Sequence, residues 1–207
     1  EKTGILSATN TLLENAYYII TPTALTPKEE ISEFRDFVLS LGAIPLILDY
    51  KIHDYSTAAI SHLPHMIAYS LVNLIHQIDD DKETMKTIAA GGFKDITRIA
   101  SSSPVMWQNI CASNREPLLS LMDQYLALLT KLRGYIDSSN EQALLSFFQQ
   151  AKDYRDSITL PSVKSPTVYY ECFVDLVDET GGIAAVAGLL AQYHISIKNI
   201  GIIHNRE

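Results

Sequence analysis

Apolar residues follow three patterns along the chain: short runs in the first fifty residues, a helical period from 53 to 158, and short runs again beyond 166. Residues 17–23, YYIITPT, read as a buried strand. Thr26-Pro27-Lys28-Glu29 fits a capping box with proline at the first helical position. Ile31, Phe34, Val38 and Leu41 are spaced 3-4-3, which predicts one buried helix face, and Gly42 ends that helix. AIPLIL at 43–48 is a second strand. Strand, helix and strand with short links imply a parallel βαβ unit. Such a unit is too small to stand alone, so residues 1–50 read as the end of a larger α/β domain.

Every segment from His53 to Ile158 reads as helix. The stretch PLLSLMDQYLALLTKLRGYI within 104–136 is apolar on more than one face, which means burial on more than one face. Ser139-Asn140-Glu141-Gln142 is a second capping-box match, ahead of LLSFFQQAKDYRDSI. These helices carry more apolar surface than one chain can hide, which predicts a dimer. PSVKSP at 161–166 is a linker. Beyond it, 167–177 reads as a strand, Gly181-Gly182 as a turn, Ile183 to Tyr193 as a helix and 195–203 as another strand. The fold class expected is mainly α: a dimeric helical bundle over 51–160, preceded by the α/β end and followed by a partial α/β module over 167–207.

The segment AISHLPHMIAYSL, 59–71, places histidines and a proline in an apolar helix. Ile60, Leu63, Ile67, Leu71, Leu74 and Ile78 form an apolar stripe. His62, His65, Tyr69, Asn73 and His76 form a polar stripe about 200° away. Pro64 cannot donate to the carbonyl of Ile60, so a kink is expected there, opening a polar slot beside the two histidines. Lone histidines at such places are usually satisfied core or surface groups; the pair beside a proline is what suggests a pocket wall. Zinc needs a third protein ligand, and no HExxH or cysteine pair supplies one, so no metal is expected.

In GGFKDITRIASSSPVMW, 91–107, Gly91 and Gly92 break one helix and open the next with bare N–H groups, which favours an anion. Phe93, Ile96 and Ala100 are expected to face inward. Asp95 and Arg98 share the other face; the Arg98 fork fits a carboxylate, with Asp95 placed to hold it. An ordinary solvated ion pair is the plainer alternative.

Composition narrows the classes. The chain has 207 residues, 47% of them hydrophobic, and a formal net charge of −8. It is globular, and it has no basic stripe for a nucleic-acid backbone. No run reaches about 18 uninterrupted apolar residues and no signal peptide opens the sequence, so no membrane contact is expected and the location expected is cytoplasmic. Cys111 and Cys172 read as free thiols.

HDYSTAAISHLPHMIAYSLV and GGFKDITRIASSSPVMW, in that order and after IITPT, resemble prephenate dehydrogenase of the tyrosine pathway over residues 1 to about 158. VDETGGIAAVAGLLAQYHISIKNIGI resembles the first half of an ACT regulatory domain. The resemblance implies oxidative decarboxylation of prephenate to 4-hydroxyphenylpyruvate with NAD or NADP, in a homodimer, with L-tyrosine as feedback inhibitor. It implies a Rossmann-like nucleotide-binding domain ending near residue 50. By motif, His65 lines the prephenate site and donates to a substrate oxygen, Arg98 pairs with a substrate carboxylate, and Asp95 and Gly91 border the pocket. Glu1 falls at the pocket mouth, and His62 and Pro64 support the site. The family's catalytic histidine and its glycine-rich cofactor loop precede the position of Glu1. These 207 residues alone are therefore expected to lack activity, and no catalytic residue is assigned among them. Three rivals remain open: arogenate dehydrogenase, a metal-dependent all-helical hydrolase suggested by His53-Asp54, and a non-catalytic amino-acid-sensing dimerisation module.

Overall fold

The computed structural model describes residues 5, 8–9, 11–158, 172, 174–177, 179–195, 197 and 200. The chain divides into two compact units, residues 1–161 and 162–207. The described residues are mainly helical.

The first unit opens with a parallel βαβ. Strand β1 (Tyr17–Ile20) pairs with β2 (Ile44–Ile47), Tyr17 opposite Ile44 and Ile20 opposite Ile47, and helix α1 (Lys28–Ser40) connects them. Gly42 takes the left-handed φ of +77° that ends α1. Val38 is fully buried between helix and strands, but Phe34 and Leu41 of the expected inward face are exposed. Two strands offer too little surface to cover a whole helix face. The capping box is also absent: α1 starts after an extended Pro27 with no side-chain cap. Thr26 Oγ1 instead accepts from the Thr23 N–H at 3.1 Å and meets the Thr23 hydroxyl at 3.0 Å, a local turn that competes with the cap.

Helix α2 (Tyr50–Thr57) is started by Asp49, whose carboxylate accepts from the Lys51 N–H at 2.9 Å. It runs through a π turn (Ala58–His62) directly into α3 (Leu63–Ile78). The predicted disturbance at Pro64 takes this form. Without a proline N–H the carbonyl of Ile60 loses its α-helical donor, and the backbone widens: the Leu63 N–H reaches back to the Ala58 carbonyl. Pro64 then falls in the first turn of α3, directly after the widened turn. The continuous run Tyr50–Ile78 has 29 residues and a mean hydropathy of 1.2 in its most apolar window, enough by length and composition to cross a membrane. The sequence expectation of no such span counted unbroken apolar residues, whereas an average tolerates scattered histidines. Here the run packs against later helices of its own unit.

Helix α4 (Thr84–Ile88) follows an acidic turn in which Asp80 accepts from the Thr84 N–H at 3.0 Å; that bond leads the effects holding its carboxyl below the usual range. Then come α5 (Gly91–Thr97), a 3-10 turn (Arg98–Ser101), α6 (Pro104–Ser113), α7 (Arg115–Asp137) and α8 (Glu141–Ser157). The cap of α8 is Asn140, accepting from the Ala143 N–H at 3.0 Å, and not Ser139, which sits at a left-handed φ of 49°. The core gathers Ala58, Ala68, Thr97, Trp107, Leu118 and Leu121. Alanines lie where the π turn and α3 are packed against by other elements, including α7.

Burial departs from the sequence pattern in two places. Helix α5 buries Thr97 and leaves Ile96 exposed. In the long run, Ile60, Leu74 and Ile78 of the apolar stripe are exposed, while Leu63, Ile67 and Leu71 are half-buried, as are His62, His65 and Tyr69 of the polar one. Leu126 and Leu129 of α7 and Leu145 and Phe148 of α8 are exposed as well. Among the described residues of this unit nothing covers these side chains.

In the second unit the described helix is α9 (Gly182–Gln192), entered through Gly181 at φ +97°. The linker 161–166 and most of the two expected flanking strands lie outside the described residues.

Candidate functional site

The polar stripe of the long helix converges on one aromatic ring. His65 stacks on Trp107 of α6, with centroids 3.8 Å apart and planes 26° from parallel. His62 and Tyr69 meet the same indole edge-on, at 6.0 and 6.5 Å. The spacing 62, 65, 69 places three rings on one helical face, and Ser103, capping α6, sets the helix that carries Trp107 against them. Trp107 is 4% exposed, and its Nε1–H finds no acceptor among the described residues. Sequence reading assigned it no role. The signal available was a polar stripe that needed something to pack on, and a single tryptophan in the chain.

Each histidine is oriented by a different bond. His65 Nδ1 lies 2.8 Å from the Ser61 carbonyl. A carbonyl only accepts, so Nδ1 carries the proton, and Nε2 has no hydrogen-bond partner among the described residues. The neutral ring therefore accepts at Nε2; only the imidazolium donates there. Asn114 fixes His62 in the opposite sense. Its amide nitrogen donates to the Asp54 carbonyl at 2.8 Å and lies 3.3 Å from His62 Nδ1, which must then offer a lone pair. Burial pushes the His62 pKa below the ordinary histidine value; His65 and His53 push the same way and Asp54 opposes them. His53 Nδ1 is 2.9 Å from Asp54 Oδ1, a half-exposed pair.

Tyr69 ties this cluster to the glycine-rich stretch. Its hydroxyl donates to the Ser102 carbonyl at 3.0 Å, just past the 3-10 turn, and both that turn and α5 pack on α3. Arg98 is the first residue of the turn, and Asp95 and Gly91 are on α5; all three are exposed. The expected Asp95–Arg98 pair is not formed: Asp95 lies within α5, and Arg98 follows its last residue, Thr97, at the start of the 3-10 turn. Among the described residues Arg98 has no ion-pair partner, which leaves its guanidinium free for a carboxylate. Gly91 and Gly92 have open space where a Cβ would go, so packing does not demand glycine at either. Glu1 lies outside the described residues.

An open groove of about 590 Å³ lies elsewhere, at the end of β1 and the start of α1, lined by Thr21, Pro22, Thr26, Glu30 and Phe34 among others. The loop it borders has prolines and no glycines, and the sequence contains no G-x-G-x-x-G. These residues do not form a dinucleotide phosphate site. Among the described residues no three His, Cys, Asp or Glu side chains converge on a metal position, and Cys111 and Cys172 are free thiols.

The fold and the site define a helical unit with a histidine–tryptophan cluster and an arginine that has no ion-pair partner among the described residues. Comparison with known proteins identifies which unit it is. Residues 49–150 match the family described as prephenate dehydrogenase, dimerization domain. A prephenate dehydrogenase of Bacillus subtilis (strain 168) is 38% identical over 206 residues, 100% of this chain and 56% of that protein. Among solved structures, prephenate dehydrogenase from A. aeolicus in complex with hydroxyphenyl propionate and NAD+ superposes with a TM-score of 0.73 at 30% identity, covering 77% of this chain and 56% of that one. Synechocystis arogenate dehydrogenase follows with 0.68 at 28% identity, covering 72% and 54%. The chain belongs to the prephenate dehydrogenase family, and it spans about half the length of the relatives it matches.

Proposed function

We propose that this chain supplies the dimerisation and substrate-binding part of a cytoplasmic, NAD- or NADP-dependent prephenate dehydrogenase, an oxidoreductase of tyrosine biosynthesis. The observation that carries the reading is the pairing of a free His65 Nε2 with an unpartnered Arg98 on elements that pack together. Arg98 holds a carboxylate of prephenate through a charge-assisted fork. His65 gives a hydrogen bond to a substrate oxygen as imidazolium, or accepts one from a hydroxyl when neutral. Gly91 and Asp95 border the same space, and His62 and Pro64 support it by shaping the π turn. The dinucleotide is held by residues other than those described, in a Rossmann-like domain of which residues 1–50 are the end.

The exposed faces of α3, α7 and α8 are read as the surface of a homodimer, where each copy covers the other's apolar stripe. Obligate dimers bury more than about 2,000 Å²; a stable monomer in sedimentation at micromolar concentration would overturn this. Residues 167–207 are read as part of an ACT-like module that takes L-tyrosine.

Assay of the complete polypeptide tests the whole proposal. Prephenate-dependent reduction of the dinucleotide, with release of carbon dioxide, is expected. Turnover of arogenate in its place would shift the assignment to the activity named for the Synechocystis relative, and turnover of neither would end it.

A further inference from the structure

We propose that Trp107 is a positioning residue, acting through His65 to aim its free nitrogen at the ligand. The inference rests on His65 being a substrate-binding group and adds the residue that fixes its ring. One hydrogen bond, from Nδ1 to the Ser61 carbonyl, anchors one edge of the imidazole. Alone it leaves the ring free to swing about that bond. The indole lying 3.8 Å away and nearly parallel removes the swing, so Nε2 has one direction. A stacked indole also accommodates either charge state of the ring, since an imidazolium gains a cation–π contact.

Trp107 does not act by touching the ligand itself, because it is 4% exposed. Its Nε1–H makes no hydrogen bond among the described residues. What the position uses is the flat face, held in turn by the edges of His62 and Tyr69. Phenylalanine offers a flat face of smaller area, whereas leucine and methionine fill space without one.

The test is kinetic, in the complete polypeptide. Trp107→Phe is expected to keep KM for prephenate within about threefold, and Trp107→Leu to raise it about tenfold with kcat changed less than about threefold. Trp107→Met replaces the leucine variant if that one does not fold. In a His65→Ala background Trp107→Leu should add less than about twofold, because residues acting as one unit are not additive. Full multiplication of the two effects overturns the proposal, as does a tenfold KM rise in Trp107→Phe. Nitrogen-15 spectra of the imidazoles separate this from failure of the functional reading, because they need no turnover. His65 should hold its proton on Nδ1 in the parent and in Trp107→Phe, and show mixed tautomers in Trp107→Leu. Identical His65 spectra in all three would sink the positioning role even if the enzyme is active. Clean tautomer behaviour without prephenate turnover would sink only the substrate assignment.

Discussion

Replacing Asn114 by alanine tests the hydrogen-bond logic of the bundle. Asn114 joins the start of α7 to α2 and the π turn by donating to the Asp54 carbonyl at 2.8 Å and to His62 Nδ1 at 3.3 Å. Each bond contributes about 0.5–1.5 kcal/mol, so alanine should cost about 1–3 kcal/mol. For a chain of this size each kcal/mol moves Tm by about 2–4 °C, which predicts a fall of about 2–12 °C at pH 7.5. Burial of the same histidine makes stability depend on pH. The folded His62 pKa is lowered, so the native state favours the neutral ring and the unfolded chain binds the proton more readily. The stability from keeping His62 neutral is therefore full above the unfolded value of about 6.5 and is lost as pH falls through the folded value. A protonated His62 also cannot accept from Asn114. Thermal unfolding of parent, Asn114→Ala and His62→Gln at pH 7.5 and 5.5 checks both parts. The parent should lose more on acidification than His62→Gln, with Asn114→Ala between them. Equal acid losses in parent and His62→Gln would refute the argument and move the titration to other groups.

Three further outcomes follow from named contacts. Ala68 is fully buried in α3, so Ala68→Leu should overpack the core and cost about 1–3 kcal/mol, read as a lower Tm, whereas an unchanged Tm would mean the helix has room to shift. Pro64→Ala regains a backbone donor worth about 0.5–1.5 kcal/mol and loses about 0.4–1 kcal/mol of chain-stiffening. Tm should stay within about 4 °C, and a larger rise would show that proline strains the π turn. Arg98→Ala in the complete polypeptide should raise KM for prephenate by about tenfold or more with kcat nearly constant, since a carboxylate is held equally in ground and transition states; an unchanged KM would leave Arg98 a solvated surface residue.

Much of the local structure was legible in the chain. Helices over 53–158, the parallel βαβ and the left-handed Gly42 are written in period and turn chemistry, and these depend on neighbours within a few residues. Caps were less legible. Thr26 was taken up by Thr23, and Asn140 rather than Ser139 met the first orphan N–H, because neighbouring polar side chains compete for the same backbone groups. The motifs holding His65 and Arg98 were visible, and the family followed from them.

The sequence by itself determined which residues of the long helix share a face: both stripes, and the place where Pro64 disturbs the backbone. Only the tertiary structure decided what each face meets. Period assigns a residue its angle around the helix axis, and nothing in it says which side another helix will cover. Here α6 brings Trp107 over His62, His65 and Tyr69 of the polar stripe, whereas Ile60, Leu74 and Ile78 of the apolar one stay exposed. The direction of His65 was likewise beyond sequence reading. It depends on a carbonyl four residues back and on an indole 42 residues on, and the second of these contacts exists only after the helices have packed.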